Sequence, residues 1–174
     1  YKNKGYLYSC RIVILKKHKV EIIELITLHL YIRRRLLWYR FSRRKRRRQD
    51  KILIDLANES VSTSDGDVIY IDDDKRHIYD LNHKIRFVEV SEFPLANYRE
   101  LIGFIYGIFS QNSDITKVFV DGIFKIVQSL GNEDLIKLVA RLDSVSKAYN
   151  VDFVLAGNVD PAELPKEVEQ YIRK

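Results

Sequence analysis

Two apolar runs in the sequence end in an acidic residue: residues 118–120 precede Asp121, and residues 52–54 precede Asp55. In phosphate-transferring ATPases, an acid at the end of such a strand holds the water bound to magnesium. Phosphoryl transfer also needs a glycine-rich loop that cradles the phosphates and a lysine that neutralises them, in the pattern G-x-x-x-x-G-K-[ST]. The sequence contains no such pattern. We therefore expect Asp121 to cap a helix that begins near Ile123, and we expect neither ATPase activity nor catalytic residues.

The stretch that follows residue 71 concentrates carboxylates and imidazoles, which are common metal ligands. It contains Asp72, Asp73, Asp74, His77 and His83. Their spacing matches no calcium-binding loop, and no two histidines stand four residues apart. The pattern therefore favours a solvated turn over a metal site, and the sequence predicts no metal and no other cofactor.

Basic residues are concentrated in the first fifty positions. Residues 1–50 hold sixteen Lys and Arg against three acidic residues, a balance of +13, whereas residues 51–174 hold fourteen against twenty-one, a balance of −7. Such a positive charge on fifty residues indicates a polyanionic partner or a membrane surface. The single cysteine, Cys10, can form no disulfide within the chain, which favours a reducing, cytoplasmic location.

The basic segment also carries apolar and aromatic residues. Residues 20–32 are mostly apolar, but they are fewer than the ~20 residues that span a bilayer as a helix. The absence of Gly and Pro between residues 6 and 65 predicts one long helix. We expect its contacts with a membrane or polyanion to come from Arg33, Arg34, Arg35, Leu37, Trp38, Arg43, Arg44, Arg46, Arg47 and Arg48.

Three interpretations of this basic segment, residues 1–59, are open. Trp38 beside arginines fits an anchor on the inner face of a membrane, where each basic residue contributes ~1 kcal/mol on anionic lipid. The same composition can bind the phosphates and stack the bases of a nucleic acid. The third interpretation is a helix that forms a homo-oligomer. The membrane interpretation leads because nucleic-acid-binding tails are rarely so rich in Ile and Leu, and it predicts a cytoplasmic protein associated with anionic lipid or a membrane protein.

A polar stretch after Glu59 predicts a domain boundary, followed by an α/β domain at residues 60–174. Residues 68–71 and 77–81 read as the two strands of a hairpin. Further strands are predicted at 86–90, 117–120 and 153–155, and helices from Pro94, at 123–130, from Asn132 and after Asp160. Strands this apolar must be covered on both sides, which indicates a mostly parallel sheet with helices on both faces.

Gly103 and Gly107 stand four residues apart in the helix predicted after Pro94. They share one face of that helix, and each costs ~1 kcal/mol relative to alanine. Such a cost indicates that another backbone approaches closely. We expect that backbone to be the domain's own sheet, with a subunit interface as the alternative.

Residues 86–157 combine strands, acids and helices in an order carried by three motifs. The motifs are KVFVDGIFKIV at 117–127, SLGNEDLIKLVARLDSVSKAYNV at 129–151 and NVDP at 158–161. This stretch resembles the archaeal domain of unknown function 835 family, a degenerate relative of the KaiC and RecA-type ATPases without the phosphate loop. The resemblance implies a partial RecA-like core and a membrane-linked or sensor-linked role. We therefore expect a non-catalytic regulatory or scaffolding protein, with a nucleic-acid-binding protein as the alternative.

Overall fold

The structure, a computed structural model, describes residues 36–40, 46–157, 159, 163–169 and 171. Strands and helices alternate along most of this part of the chain. In chain order they are β1 (Leu36–Arg40), α1 (Arg46–Thr63), β2 (Asp67–Asp72), β3 (Arg86–Glu89), α2 (Tyr98–Gln111), β4 (Ile115–Val120), α3 (Ile123–Ile126), α4 (Asn132–Tyr149), β5 (Asp152–Gly157) and α5 (Lys166–Glu169).

The strands form one sheet in the order β1-β5-β4-β2-β3, and every neighbouring pair is parallel. Parallel strands of one sheet cannot be joined by tight turns, because the chain must return to the same end of the sheet. The helix α1 makes this return between β1 and β2, α2 makes it between β3 and β4, and α3 with α4 makes it between β4 and β5. The predicted α/β class with a parallel sheet is confirmed.

Helices cover both faces of the sheet. Val68 and Tyr70 of β2 pack with Leu53 and Ala57 of α1, whereas the alternate side chains of β2 pack with α2 and α4. The second core includes Ile69, Ile71, Leu101, Ile105, Val118, Val120, Leu138, Leu142, Phe153 and Leu155. Because neither face of β2, β4 and β5 is open to water, these strands contain continuous apolar runs rather than alternating patterns.

The predicted long helix is wrong at residues 36–40, whereas the part predicted to run through residues 52–58 is helical. Residues 36–40 form β1, whose backbone pairs with residues 153–157 of β5, and the helix α1 begins only at Arg46. Helix propensity is a weak preference, and an apolar aromatic run gains more by pairing with the edge of a sheet. Residues 1–35 and 41–45 lie outside the described residues.

The helix α1 also runs through the predicted domain boundary at residue 60. Leu53 and Ala57 are fully buried, and Ser60 is buried as well. Because these residues belong to the core on one face of the sheet, α1 is part of the α/β domain. The polar stretch at residues 61–66 ends the helix and leads into β2 rather than separating two domains.

The predicted hairpin does not form. Residues 77–81 lie in a series of turns, and Tyr79 is 96% exposed. The strand β2 has β3 on one side and β4 on the other, so neither side is free for an antiparallel partner. The loop is held instead by Asn58 of α1, whose side chain hydrogen-bonds to the backbone of Asp80 and Asn82.

The remaining predicted strands and helices are present, with shifted ends. The helix α2 begins at Tyr98 because the side chain of Asn97 accepts hydrogen bonds from the first free N–H groups. The helix α4 begins at Asn132 as predicted, and Gly131 occupies its N-cap. The helix predicted at 123–130 is the single turn α3. The start of the helix predicted after Asp160 lies outside the described residues.

Candidate functional site at the carboxyl edge of the sheet

The carboxyl ends of β2 and β4 lie next to each other within the sheet. After β2 the chain turns outward to β3, and after β4 it crosses in the opposite direction to β5. The two connections therefore separate and leave a crevice between the strand ends. Open parallel sheets bind their ligands at such a switch point. The crevice between β2 and β4 is accordingly the candidate functional site.

Asp72 and Asp121 occupy neighbouring positions at this crevice. Ile71 and Val120 are partners in the strand register, and the N–H of Asp121 donates a 2.8 Å hydrogen bond to the carbonyl of Ile71. The next residue on each strand is therefore an aspartate, and neighbouring strands lie ~4.8 Å apart. Asp72 is 2% exposed and Asp121 is partly buried. Two carboxylates placed this close repel each other unless one is neutralised.

Tyr70 fixes the orientation of Asp121. Its ring is fully buried and stacks between Phe87 and Phe119, with centroid distances of 6.3 and 6.2 Å. Its hydroxyl donates a 2.9 Å hydrogen bond to Oδ2 of Asp121. Because the ring is locked by packing on both sides, its hydroxyl is a preorganised donor that favours the ionised form of this carboxylate.

Asp72 is the electrostatically costly member of the pair. Its Oδ1 accepts a 2.7 Å hydrogen bond from the N–H of Asp73, whereas no described residue offers a hydrogen-bond partner to its buried Oδ2. Burial in the first place, and the nearby charge of Asp121 in the second, raise the pKa of Asp72 to about 8. At neutral pH the pair therefore holds a proton, and Asp72 is its main carrier.

Asp73 is drawn away from this pair by a cation. The Nζ of Lys125 lies 2.8 Å from Oδ1 and 2.9 Å from Oδ2 of Asp73. Gly122, which precedes α3, adopts the left-handed conformation with φ of 67°, and a Cβ added there would lie 3.1 Å from Oδ1 of Asp73. Glycine at this position thus provides both the turn and the space for the Asp73–Lys125 ion pair.

The prediction that Asp121 caps the helix after it is wrong. Gly122 occupies the N-cap of α3, and no side chain makes a capping hydrogen bond there. Asp121 instead continues the backbone pairing between β4 and β2 and accepts from Tyr70. Its carboxylate is therefore directed sideways to the neighbouring strand rather than forward to the helix.

The carboxylates and histidines that follow residue 71 do not converge on one point. Asp74 forms a 2.6 Å ion pair with Arg76, and Nδ1 of His77 lies 3.4 Å from Asp80. Across the residues for which positions are described, no group of three or more His, Cys, Asp or Glu side chains is arranged to hold a metal ion. The predicted solvated turn is wrong for Asp72, which is the buried last residue of β2.

Sequence reasoning missed the pairing of Asp72 with Asp121. The available signal was that two apolar runs, at residues 68–71 and 118–120, each end in an aspartate. Acids at the carboxyl ends of parallel strands meet when the strands are neighbours. The sequence does not reveal that β2 and β4 are neighbours, because β3 lies between them in the chain.

Gly103 and Gly107 do not face the domain's own sheet, so that prediction is wrong. Both are exposed on α2, and apart from their own helix no described atom would lie within 4 Å of a Cβ added at either position. The buried face of α2 is formed by Leu101, Ile102, Ile105, Ile108 and Phe109. The alternative, a subunit interface at these glycines, stays a prediction.

The predicted membrane-binding residues fall into three groups. Leu37 and Trp38 lie on β1, opposite Val154 and Leu155 of β5. Arg46, Arg47 and Arg48 form the first turn of α1. Arg33, Arg34, Arg35, Arg43 and Arg44 lie outside the described residues. Within the part of the chain that is described, no helix is long and apolar enough to cross a membrane.

No protein-family model matches this sequence, and a search of curated proteins finds none that matches it. The resemblance to the domain of unknown function 835 family therefore stays a prediction. The identification of the crevice and its two aspartates as a candidate site therefore rests on the structure alone.

Proposed function

We propose that the protein is a non-catalytic regulatory or scaffolding module, held on an anionic membrane surface at the cytoplasmic side by its basic N-terminal segment. The charge balance is +13 on residues 1–50 and −7 on residues 51–174, which supports membrane binding by the first segment and not by the rest of the chain. A polyanion attracts the first part and repels the second. The sequence has no phosphate-binding loop, so ATP hydrolysis is not part of the proposal.

The observation that carries the proposal is the start of α1. This helix begins with Arg46, Arg47 and Arg48, and its first turn contains no acidic residue. Cations are unfavourable there, by roughly 0.3–1 kcal/mol each, because the amino end of a helix carries a partial positive charge. Three arginines placed where they cost stability support a role in binding an external anion, because the amino end of a helix also favours anions.

The topology gives the direction in which this basic turn points. The helix α1 follows the carboxyl end of β1 and leads into the amino end of β2, so it runs opposite to the strands. Its eighteen residues are enough to cross the sheet, at ~1.5 Å per residue. The basic turn therefore lies toward the carboxyl edge, the edge that also carries the crevice between β2 and β4. A surface bound by the arginines would have this edge turned toward it.

A nucleic acid is the second candidate partner. The position of Leu37 and Trp38 in β1 favours it over a membrane anchor formed by these two apolar side chains. Leu37 and Trp38 belong to a sheet strand rather than to an amphipathic interfacial helix. The apolar contribution to membrane binding must then come from residues 20–32. The arginines alone would bind phosphates of either source.

Vesicle binding of charge-matched variants tests the proposal. The full chain would be mixed with vesicles containing about 30% phosphatidylserine and with neutral phosphatidylcholine vesicles. Replacing Arg46, Arg47 and Arg48 together by Gln should weaken binding to the anionic vesicles at least tenfold, at ~1 kcal/mol per basic residue. The control replaces Lys84, Arg86 and Lys166, three exposed bases of the domain, by Gln and should bind as the parent does. Equal losses in both variants, or no loss in the first, would refute the role of the basic turn.

A further inference from the structure

The strand β2 does not need a buried aspartate at its end, so the presence of Asp72 requires another explanation. Its side chain is 2% exposed and lies at the end of an otherwise apolar strand. A buried carboxyl oxygen without a hydrogen-bond partner among the described residues is destabilising. A neutral amide or an apolar side chain would avoid this cost. Residues that cost stability in this way are concentrated at binding sites.

Because Asp72 lies beside Asp121, few groups could compensate the negative charge of both carboxylates. The two residues follow directly on the register partners Ile71 and Val120, and both lie on the sheet face that carries Tyr70 and Phe119. A single proton neutralises only one carboxylate of such a pair. A cation placed between them would interact with both.

Lys125, the described lysine that follows β4, is already engaged by another carboxylate. Lys125 makes a bidentate ion pair with Asp73, at 2.8 and 2.9 Å. This pair also explains why three carboxylates in sequence proximity do not converge. At the two strand ends, the carboxylate of Asp121 accepts from Tyr70, whereas Oδ2 of Asp72 has no hydrogen-bond partner among the described residues.

We propose that Asp72 and Asp121 bind one hard divalent cation, Mg²⁺ or Mn²⁺, at the crevice between β2 and β4. Oxygen-only donor sets select such ions over zinc or copper, which prefer imidazole and thiolate. Magnesium is commonly held by one or two protein carboxylates and keeps water in its other positions. Asp121, Gly122 and Asp73 are only partly buried, so water can reach the ion from the crevice side.

The test is a direct binding measurement on the full chain. Binding of Mn²⁺ would be followed by loss of the free-ion paramagnetic resonance signal, and binding of Mg²⁺ by its competition with Mn²⁺. We expect saturable binding of one ion per chain. Asp72→Asn and Asp121→Asn should each weaken it by about tenfold or more, since even indirect partners of a metal contribute that much. Asp74→Asn removes a carboxylate of the same loop that is paired with Arg76, and it should bind as the parent does.

Folding of the variants is checked by thermal unfolding, so that a loss of binding in an unfolded variant is not mistaken for support. Asp72→Glu provides a second check, because it keeps the charge and moves the oxygens by one methylene group. We expect it to bind more weakly than the parent and more tightly than Asp72→Asn. The proposal is overturned by the absence of saturable binding at about 10 mM ion, well above the range of weak protein sites, by unchanged binding in both Asn variants, or by an equal loss in Asp74→Asn.

Discussion

The hydroxyl of Tyr70 donates a 2.9 Å hydrogen bond to Oδ2 of Asp121, a residue 51 positions away in the sequence. The bond joins the carboxyl ends of β2 and β4 on the face that α1 covers. It distinguishes the two aspartates of the crevice: Asp121 has a preorganised donor, and Asp72 has an oxygen with none among the described residues. The asymmetry assigns the negative charge to Asp121 and the proton to Asp72.

Removing the hydroxyl of Tyr70 should destabilise the domain. Tyr70→Phe keeps the buried ring and its stacking but deletes the donor to Asp121, and we expect a loss of about 1–3 kcal/mol in the free energy of unfolding. Urea denaturation measures it. Tyr79→Phe is the matched control, because Tyr79 is 96% exposed and its hydroxyl should contribute nothing measurable. Equal stability of Tyr70→Phe and the parent would show that the hydrogen bond contributes nothing.

The contribution of Asp72 to the stability of the metal-free protein should fall as pH rises from about 4 to about 8. The pKa of Asp72 is raised from 3.8 to about 8 in the folded state. In that interval the unfolded chain releases this proton and the folded chain keeps it, so the contribution is complete below pH 3.8 and lost as pH rises through the folded value. Asp72→Asn removes this dependence. The change that it causes in the free energy of unfolding should be more favourable at pH 8 than at pH 4, by on the order of 1–3 kcal/mol.

Asp74→Asn should change the pH dependence of stability in the opposite direction to Asp72→Asn in the same measurement. Partial burial acts to raise the pKa of Asp74, but the hydrogen bonds from Arg76 outweigh it and lower the pKa below 3.8. Its stabilisation is therefore present above that pH and lost as pH falls. A chelator keeps both experiments free of divalent ions. If Asp72→Asn were less stabilising at pH 8 than at pH 4, the assignment of the proton to Asp72 would be wrong.

Substitution by alanine should lower the stability of the protein at Gly122 and raise it at Gly103. Gly122→Ala forces a side chain into φ of 67° and toward Asp73, and we expect a loss of about 1 kcal/mol or more. Gly103→Ala lies in the exposed interior of α2 with open space around it, and we expect a gain of about 0.5–1 kcal/mol. Thermal unfolding measures both. A loss in Gly103→Ala that depends on protein concentration would instead support the subunit interface at this face.

The sequence predicts those parts of the fold in which local pattern and tertiary environment agree. Residues 118–120 and 153–155 are continuous apolar runs, which is the pattern of strands buried on both faces, and both lie within strands of the sheet. The stripe in α4, with Leu135, Leu138 and Leu142, faces the core as its spacing predicts.

The predictions fail where pairing between distant segments decides the structure. Residues 36–40 carry no local signal that separates a strand from a helix, and their strand exists through the register with residues 153–157. The turns at residues 77–81 resemble a strand locally, but β2 has no free edge to receive one. The Asp72–Asp121 pair was missed for the same reason, because the order of strands in a sheet is not a property of any one segment.

The dependence of vesicle binding on salt tests the proposed membrane role most directly. The full chain would be titrated with phosphatidylserine-containing vesicles and with duplex DNA at about 50 and 200 mM salt. We predict that vesicle binding persists at the higher salt, because burial of the apolar side chains at residues 20–32 is not screened by ions. Duplex DNA bound only through its phosphates should lose about 10³-fold or more in affinity over the same range. Loss of vesicle binding by about 200 mM salt, with a slope as steep as that for DNA, would contradict the membrane proposal and favour a nucleic acid as the partner.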